Sequence, residues 1–383
     1  LAAAALASIA LVAVEVSPLV ASDHADPMIL PPAHQEASLT GFFAFPRDDR
    51  LILILNIRRA LTTPKPYPLD DYEYTMHMDL ASRVRYDKAE DVARYGGTVD
   101  DPAGIASQID IRFRLTNDVE LQPGYPRFEG PTTLPGAADF PVFVGVRDDP
   151  FIFPRFAKKN VISMAVSIPF SAFPPGQQDW LLWATTTKAN SGKLIDHVGR
   201  ANRTQLGRLD FLNTLPPNEH ARALHARYDR DLKVQRAIMH VASHVRPLVP
   251  ALNGLFQYVL QIRYYDIFPD VMIFTTRRAA GFPNGRRLGD DVAGLTCAQG
   301  DCILQEIAFS EGGWPRATVN DVPLSDDFPY LGAPHPEKPD VKEPDHCLQI
   351  LLLTLLVVAL LVIFISRRRA ARNEAPYVRR YRS

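Results

Sequence analysis

His240 and His244 stand four residues apart in HVASH, so on a helix both imidazoles share one face and could hold a metal ion. Zinc-peptidase chemistry would also need a glutamate directly after the first histidine, and Val241 occupies that place. A solvated or partly packed helix face explains the pair better, and it explains His220 and His225 in the same way. Acidic residues form a second set. SDHADP brings Asp23, His24 and Asp26 together, and Asp148 stands beside Asp149 in DDP. Further pairs occur at Asp70–Asp71, Asp290–Asp291 and Asp326–Asp327. Loop carboxylates with nearby carbonyls suit calcium, a hard cation served by oxygen ligands. No loop has EF-hand spacing. Asp23, His24, Asp26, Asp148 and Asp149 could therefore form a calcium or structural site only if the fold gathers them, and turn or cap roles are the ordinary alternative.

Cys297 and Cys302 flank a glycine-containing turn in CAQGDC and could close a short disulfide loop, as an oxidising compartment permits. A metal reading needs further ligands, and no second Cys pair or Cys-His pair lies nearby. Cys347 stands alone, as an interfacial residue or a link to another subunit. Nucleophile elbows, Walker loops, dinucleotide-binding glycine patterns and Cys-x-x-Cys-His haem sites are missing from the sequence. GRRLGDD lacks the strand-to-helix setting of a phosphate loop and reads as a turn. No catalytic residue is assigned on this basis, and no cofactor is expected beyond the calcium just considered.

The elements that would position these groups are mostly strands. Arg50–Arg59, Tyr72–Leu80 and Ile109–Asp118 are short, rich in β-formers and bounded by Pro, Gly or Asp. Ile109, Ile111, Phe113 and Leu115 alternate with Asp110, Arg112 and Arg114, a period of two with one buried face. FPVFVGVRD, NVISMAVSIPF and WLLWATTTK continue the series to Lys188. Strands at this spacing without intervening helices predict a mainly β protein, an antiparallel β-sandwich-like domain over 23–217. From Asn218 the steps of Ala221, Leu224, His225, Tyr228 and Leu232 predict an amphipathic helical insertion over 218–265, broken at Pro247 and Pro250. More β and turn structure is expected over 266–325, followed by a Pro/Asp-rich stalk over 326–347.

Charge and hydropathy give an address. Eighteen residues from Leu348 to Ile365 carry no charge, and as a helix they would span roughly 27 Å, near the hydrocarbon thickness of a bilayer. Leu348, Ile350, Leu356, Leu361 and Ile365 mark this single transmembrane helix over 348–366. Arg367, Arg368 and Arg369 open a basic tail over 367–383 that belongs in the cytoplasm. Residues 1–22 read as a signal peptide or signal anchor, with small residues at Ala21 and Ser22; a second membrane helix would have to accommodate Glu15. The chain's net charge of −1 hides a division, since Asp23–Cys347 holds 35 basic and 41 acidic residues. An acidic ectodomain disfavours nucleic acid as a partner.

Several phrases, taken in order, resemble a known family. They are SDHADP (Ser22–Pro27), LTGFFAFP (Leu39–Pro46), VFVGVRDDPFIF (Val142–Phe153), NGRRLGDDV (Asn284–Val292) and NDVPLSDDFPYLGAPHP (Asn320–Pro336). Each is similar to a motif of the bacterial family called domain of unknown function 4331, and together they span nearly the whole ectodomain. IDHVGRANRTQLGRLDF keeps only part of the family's Asp-Arg-Met-Gly-Arg-Pro run, and a membrane helix is not a general feature of that family. The resemblance implies an exported β-rich protein and supplies no activity. The combined expectation is a non-catalytic accessory or scaffold subunit of an integral membrane complex, respiratory or photosynthetic. It would be held in the bacterial inner membrane with its ectodomain periplasmic. A periplasmic module binding carbohydrate or a small molecule, supported by calcium, is the first alternative. An enzyme built around His240 and His244 is the second.

Overall fold

LTGFFAFPRDDRLILILNI carries apolar side chains on both faces of two adjoining extended runs, which is stable only if both faces are covered. The computed structural model covers them. It describes residues 35–58, 61, 65–153, 156–201, 203, 209–228, 267–299, 302, 304–305, 308 and 315–336. In chain order the strands begin with β1 (Leu39–Arg47), β2 (Arg50–Ile57), β3 (Tyr72–Asp79) and the short β4 (Val84–Arg85). Helix α1 (Ala89–Tyr95) leads to β5 (Thr98–Val99), β6 (Ile109–Phe113), β7 (Arg127–Glu129) and β8 (Val142–Asp148). Then come β9 (Asn160–Pro169), β10 (Asp179–Lys188), β11 (Leu194–Val198), helix α2 (217–228), β12 (Met272–Thr275) and helix α3 (Val292–Ala298).

Four strands form one antiparallel sheet in the order β1-β2-β9-β8, and six form another. In the second sheet the order is β11-β10-β3-β6-β7, with β12 on the first half of the β10 edge whose second half β11 takes. One apolar cluster joins the two sheets. Phe42, Ala44, Leu51, Leu53 and Leu55 from the first meet Tyr74, Met76, Ile111, Phe113 and Leu182 from the second. Trp180 is 1% exposed within this cluster, ringed by Phe170, Phe173 and Phe274. The alternation expected for IDIRF holds, with Ile109, Ile111 and Phe113 inside and Asp110 and Arg112 half-buried. The mainly antiparallel β class is thus the class of the structure.

The outer faces explain the rest of the sequence. On the four-stranded sheet Phe43, Phe45, Ile52, Ile54 and Ala165 are covered by Leu288 and Leu331 from the C-terminal part of the chain. This is why every residue of β2 after Arg50 is buried. Segment 326–336, expected as the start of a stalk, lies on this sheet instead, because Phe328, Tyr330 and Leu331 have an apolar face to join. On the six-stranded sheet Leu181, Trp183 and Ile273 are covered by Val84, Tyr95 and Phe268.

Gly285 shows how closely the layers approach. Its amide donates to the Ile273 carbonyl (2.7 Å), while Arg286 and Ala44 exchange two backbone hydrogen bonds of 3.1 and 2.8 Å. Gly285 adopts φ +68°, and a Cβ there would run into the Ala44 carbonyl oxygen. Gly285→Ala is expected to lower stability by about 1–3 kcal/mol, read as a reduced urea midpoint of tryptophan fluorescence. An unchanged midpoint would refute this account of the close approach.

The helical insertion expected over 218–265 is a helix from 217 to 228, and residues 229–265 lie outside the described residues. Pro217 occupies the first helical position, where its missing N–H costs nothing, and Leu224 packs on Leu209 and Leu212. Among the described residues no helix is long and apolar enough to cross a membrane. The run at Leu348, Ile350, Leu356, Leu361 and Ile365, with Arg367, Arg368 and Arg369, lies outside them, as do residues 1–22 and Cys347.

Candidate metal site at Asp148

Asp148 ends β8 opposite Asn160 of β9, and the C-terminal segment folds over both. Its carboxylate is fully buried and gathers two donors. Asn320 Nδ2 donates to Oδ2 (2.6 Å), and His335 Nε2 lies 2.9 Å from Oδ1. The same Nε2 is 3.4 Å from Asp321 Oδ2, which also accepts the Lys158 amide (2.6 Å). Asn160 fixes the backbone of His335 from both sides, donating from Nδ2 to its carbonyl (3.0 Å) and accepting its N–H at Oδ1 (2.8 Å).

Burial pushes the Asp148 carboxyl up to about 6, and the nearby Asp321 charge adds to this, while Asn320 and His335 pull it down. Bringing a second carboxylate to a buried one is unfavourable without a compensating cation. Asp148, Asp321 and His335 each offer one ligand atom, and all three atoms lie within 4.8 Å of one another. Ligands at about 2 Å around a tetrahedral ion stand about 3.3 Å apart. The distances of 2.9 and 3.4 Å from Nε2 are within a few tenths of an ångström of that spacing. A divalent ion would replace the Nε2 proton. An imidazole beside two carboxylates suits zinc, manganese or iron(II) better than calcium, which prefers oxygen alone.

The acidic and cysteine residues singled out in the sequence fall into separate places. Asp148 is in this cluster, but Asp149 is not: its Oδ1 accepts the Phe151 amide (3.1 Å) and shapes the turn into DPFIF. Asp23, His24 and Asp26, like His240 and His244, lie outside the described residues. Asp290 accepts the amides of Phe282 and Arg287, while Asp291 caps α3 and pairs with Arg316, so both have turn or cap roles. Cys297 and Cys302 are joined by a disulfide. Asp321, His335, Asn320 and Asn160 were missed as functional candidates. Three of them lie within NDVPLSDDFPYLGAPHP, which was legible as a phrase and not as a ligand set.

Four of the five family-like phrases meet on this side of the molecule. LTGFFAFP is β1, and Arg286 of NGRRLGDDV pairs with its Ala44 and stacks over Phe43 at 4.1 Å. Arg286 also lies 5.5 Å from the ring of Phe151 in VFVGVRDDPFIF, and Asp148 of that phrase binds Asn320 and His335 of the fourth. Comparison with protein-family models finds no match, and no curated protein matches the chain.

His220 departs from expectation. It is fully buried rather than solvated or partly packed, because α2 turns this residue toward β11 and Asp270. Its Nε2 donates to the carbonyls of Leu212 (3.0 Å) and Leu215 (2.9 Å), and its Nδ1 accepts the Asp270 amide (3.1 Å). These partners fix a neutral ring. His225, one turn further on, is exposed as expected.

Proposed function

We propose that this chain is a membrane-tethered accessory module of an integral membrane complex. Its β-sandwich-like domain would stand on the periplasmic side of a bacterial inner membrane, and its arginine-rich tail inside. The observation that carries this reading is the hold of Asp148 on His335. The last described segment before the apolar run is fastened to β8 by a buried carboxylate, so load on the tether would pass directly into the sheet. A transition-metal ion shared by Asp148, Asp321 and His335 would reinforce that fastening. The resemblance to the family of domain of unknown function 4331 agrees with an exported β-rich domain.

Extraction of native membranes in mild detergent tests the proposal. Recovery of the chain in fixed stoichiometry with an integral membrane assembly is expected, and release as a lone monomer would count decisively against it. A ligand-binding role is the second reading, favoured by the open coordination positions that three protein ligands would leave on the metal.

A further inference from the structure

The outer face of the six-stranded sheet holds a polar set remote in sequence from the metal cluster. Strand register places Trp183 of β10, His77 of β3 and Asp110 of β6 side by side, with Thr185 two residues along β10. Asp110 Oδ1 accepts the His77 Nδ1 proton at 2.7 Å, and Thr185 Oγ1 donates to His77 Nε2 at 2.8 Å. Ser107 Oγ and an Arg112 guanidinium nitrogen also donate to the Asp110 carboxylate, at 2.6 and 3.1 Å. Burial alone would raise the Asp110 carboxyl, yet the hydrogen bond and charge of His77, with Ser107 and Arg112, hold it down to about 2. It is therefore ionised at neutral pH and keeps the His77 proton on Nδ1, leaving the Nε2 lone pair for Thr185. The Trp183 ring stacks on the imidazole at 5.1 Å and 15°, fixing its plane. The His77 side chain is 16% exposed, so the network meets solvent at the imidazole, beside the buried Thr185 at 7%.

We propose that Asp110, His77 and Thr185 form a general-base relay in which Thr185 accepts an acyl group from activated carboxylic esters. Carboxylate, imidazole and hydroxyl in this order are what nucleophile activation requires. Thr185 Oγ1 attacks the ester carbonyl carbon while its proton passes to His77 Nε2. The bond from that carbon to the alcohol oxygen then breaks, and the leaving oxygen takes the proton. Water, deprotonated by the same Nε2, cleaves the acyl-threonine, releasing the carboxylic acid and restoring the hydroxyl. Asp110 is a positioning residue. β10 is an interior strand whose amides are used in ladders to β3, β11 and β12, so the oxyanion has no backbone donor from that strand. Esters with good leaving groups are accordingly the substrate class, and the acyl form should accumulate.

The full chain in detergent, mixed with p-nitrophenyl acetate at neutral pH, should release a burst of about one equivalent of nitrophenolate. Peptide mass analysis should place the acetyl group on Thr185. Thr185→Val and His77→Gln should each reduce acylation on the order of 100-fold, and Asp110→Asn should lower kcat with KM unchanged. Thr185→Ser should retain or exceed the original rate, which keeps the test decisive if Thr185→Val fails to fold. Acetyl on lysines alone, or a folded Thr185→Ser chain no more reactive than that background, would overturn the proposal.

Discussion

Taking the pH from 7 to 4 is expected to cost the Asp148→Asn variant about 3 kcal/mol of folding stability, and the wild type clearly less. The loss originates at His197, fully buried on β11. Burial is the largest cause that lowers its ring, the neighbouring His220 and His77 add to it and Asp270 opposes them, and together they bring it to about 3. His220 is lowered by burial as well, with Arg203 adding to the shift and Asp270 opposing it. The unfolded chain protonates an ordinary histidine near 6.5, whereas the folded chain resists until about 3. Between those values the unfolded state binds more protons, so stability falls as the pH falls and is fully present above 6.5. Asp148 acts with the opposite sign. Its folded-state value of about 6 exceeds the usual 3.8, so its protonation favours the fold across that interval and offsets part of the histidine loss. Replacing Asp148 by asparagine removes that offset. The new amide can still accept from Asn320, and His335 can move its proton to Nδ1 and accept in turn. Urea unfolding of both proteins at several pH values makes the comparison. A variant whose stability stayed flat from pH 7 to 4 would remove His197 from the explanation.

The strands were legible because each has a local signature, and the candidate sites were not because they are assembled across long separations. IDIRF alternates, LILIL has β-branched density, and WLLWATTTK is bounded by turn residues. LIDHV has no such signature, because Asp196 and His197 stand in mid-strand. Asp196 tolerates burial there because its carboxylate accepts the amides of Leu39 (2.8 Å) and His197 (2.9 Å), a cross-layer contact with no trace in local composition. Likewise His335 lies 187 residues from Asp148, and Thr185 lies 108 residues from His77. Spacing rules work within one loop or one helix. These groups are placed by strand register and by a C-terminal segment that doubles back over β8. Of the acidic pair, Asp148 joins the cluster with Asp321 and His335, whose membership no local spacing reveals, and the adjacent Asp149 serves a turn.

Zinc or manganese in excess is expected to raise the thermal midpoint of the wild type by about 5 °C, and Asp148→Ala to abolish the response. A ligand present at 100 times its Kd and bound only by the folded state stabilises by about 2.7 kcal/mol, which corresponds to roughly that shift in a domain of this size. Calcium should act more weakly, because His335 supplies nitrogen and the protein offers one atom each from two carboxylates. Asp148→Ala should also destabilise the metal-free protein by about 1–3 kcal/mol. It removes the acceptor of both Asn320 Nδ2 and His335 Nε2 in a buried place. Asp321→Asn distinguishes the two effects. Asp321 is exposed, so its substitution should leave metal-free stability nearly unchanged while removing one ligand charge and most of the metal response. If instead zinc shifted wild type and Asp321→Asn equally, the ion would be binding elsewhere. The contact between Asp148 and His335 would then be a hydrogen-bonded clamp on the C-terminal segment and nothing more.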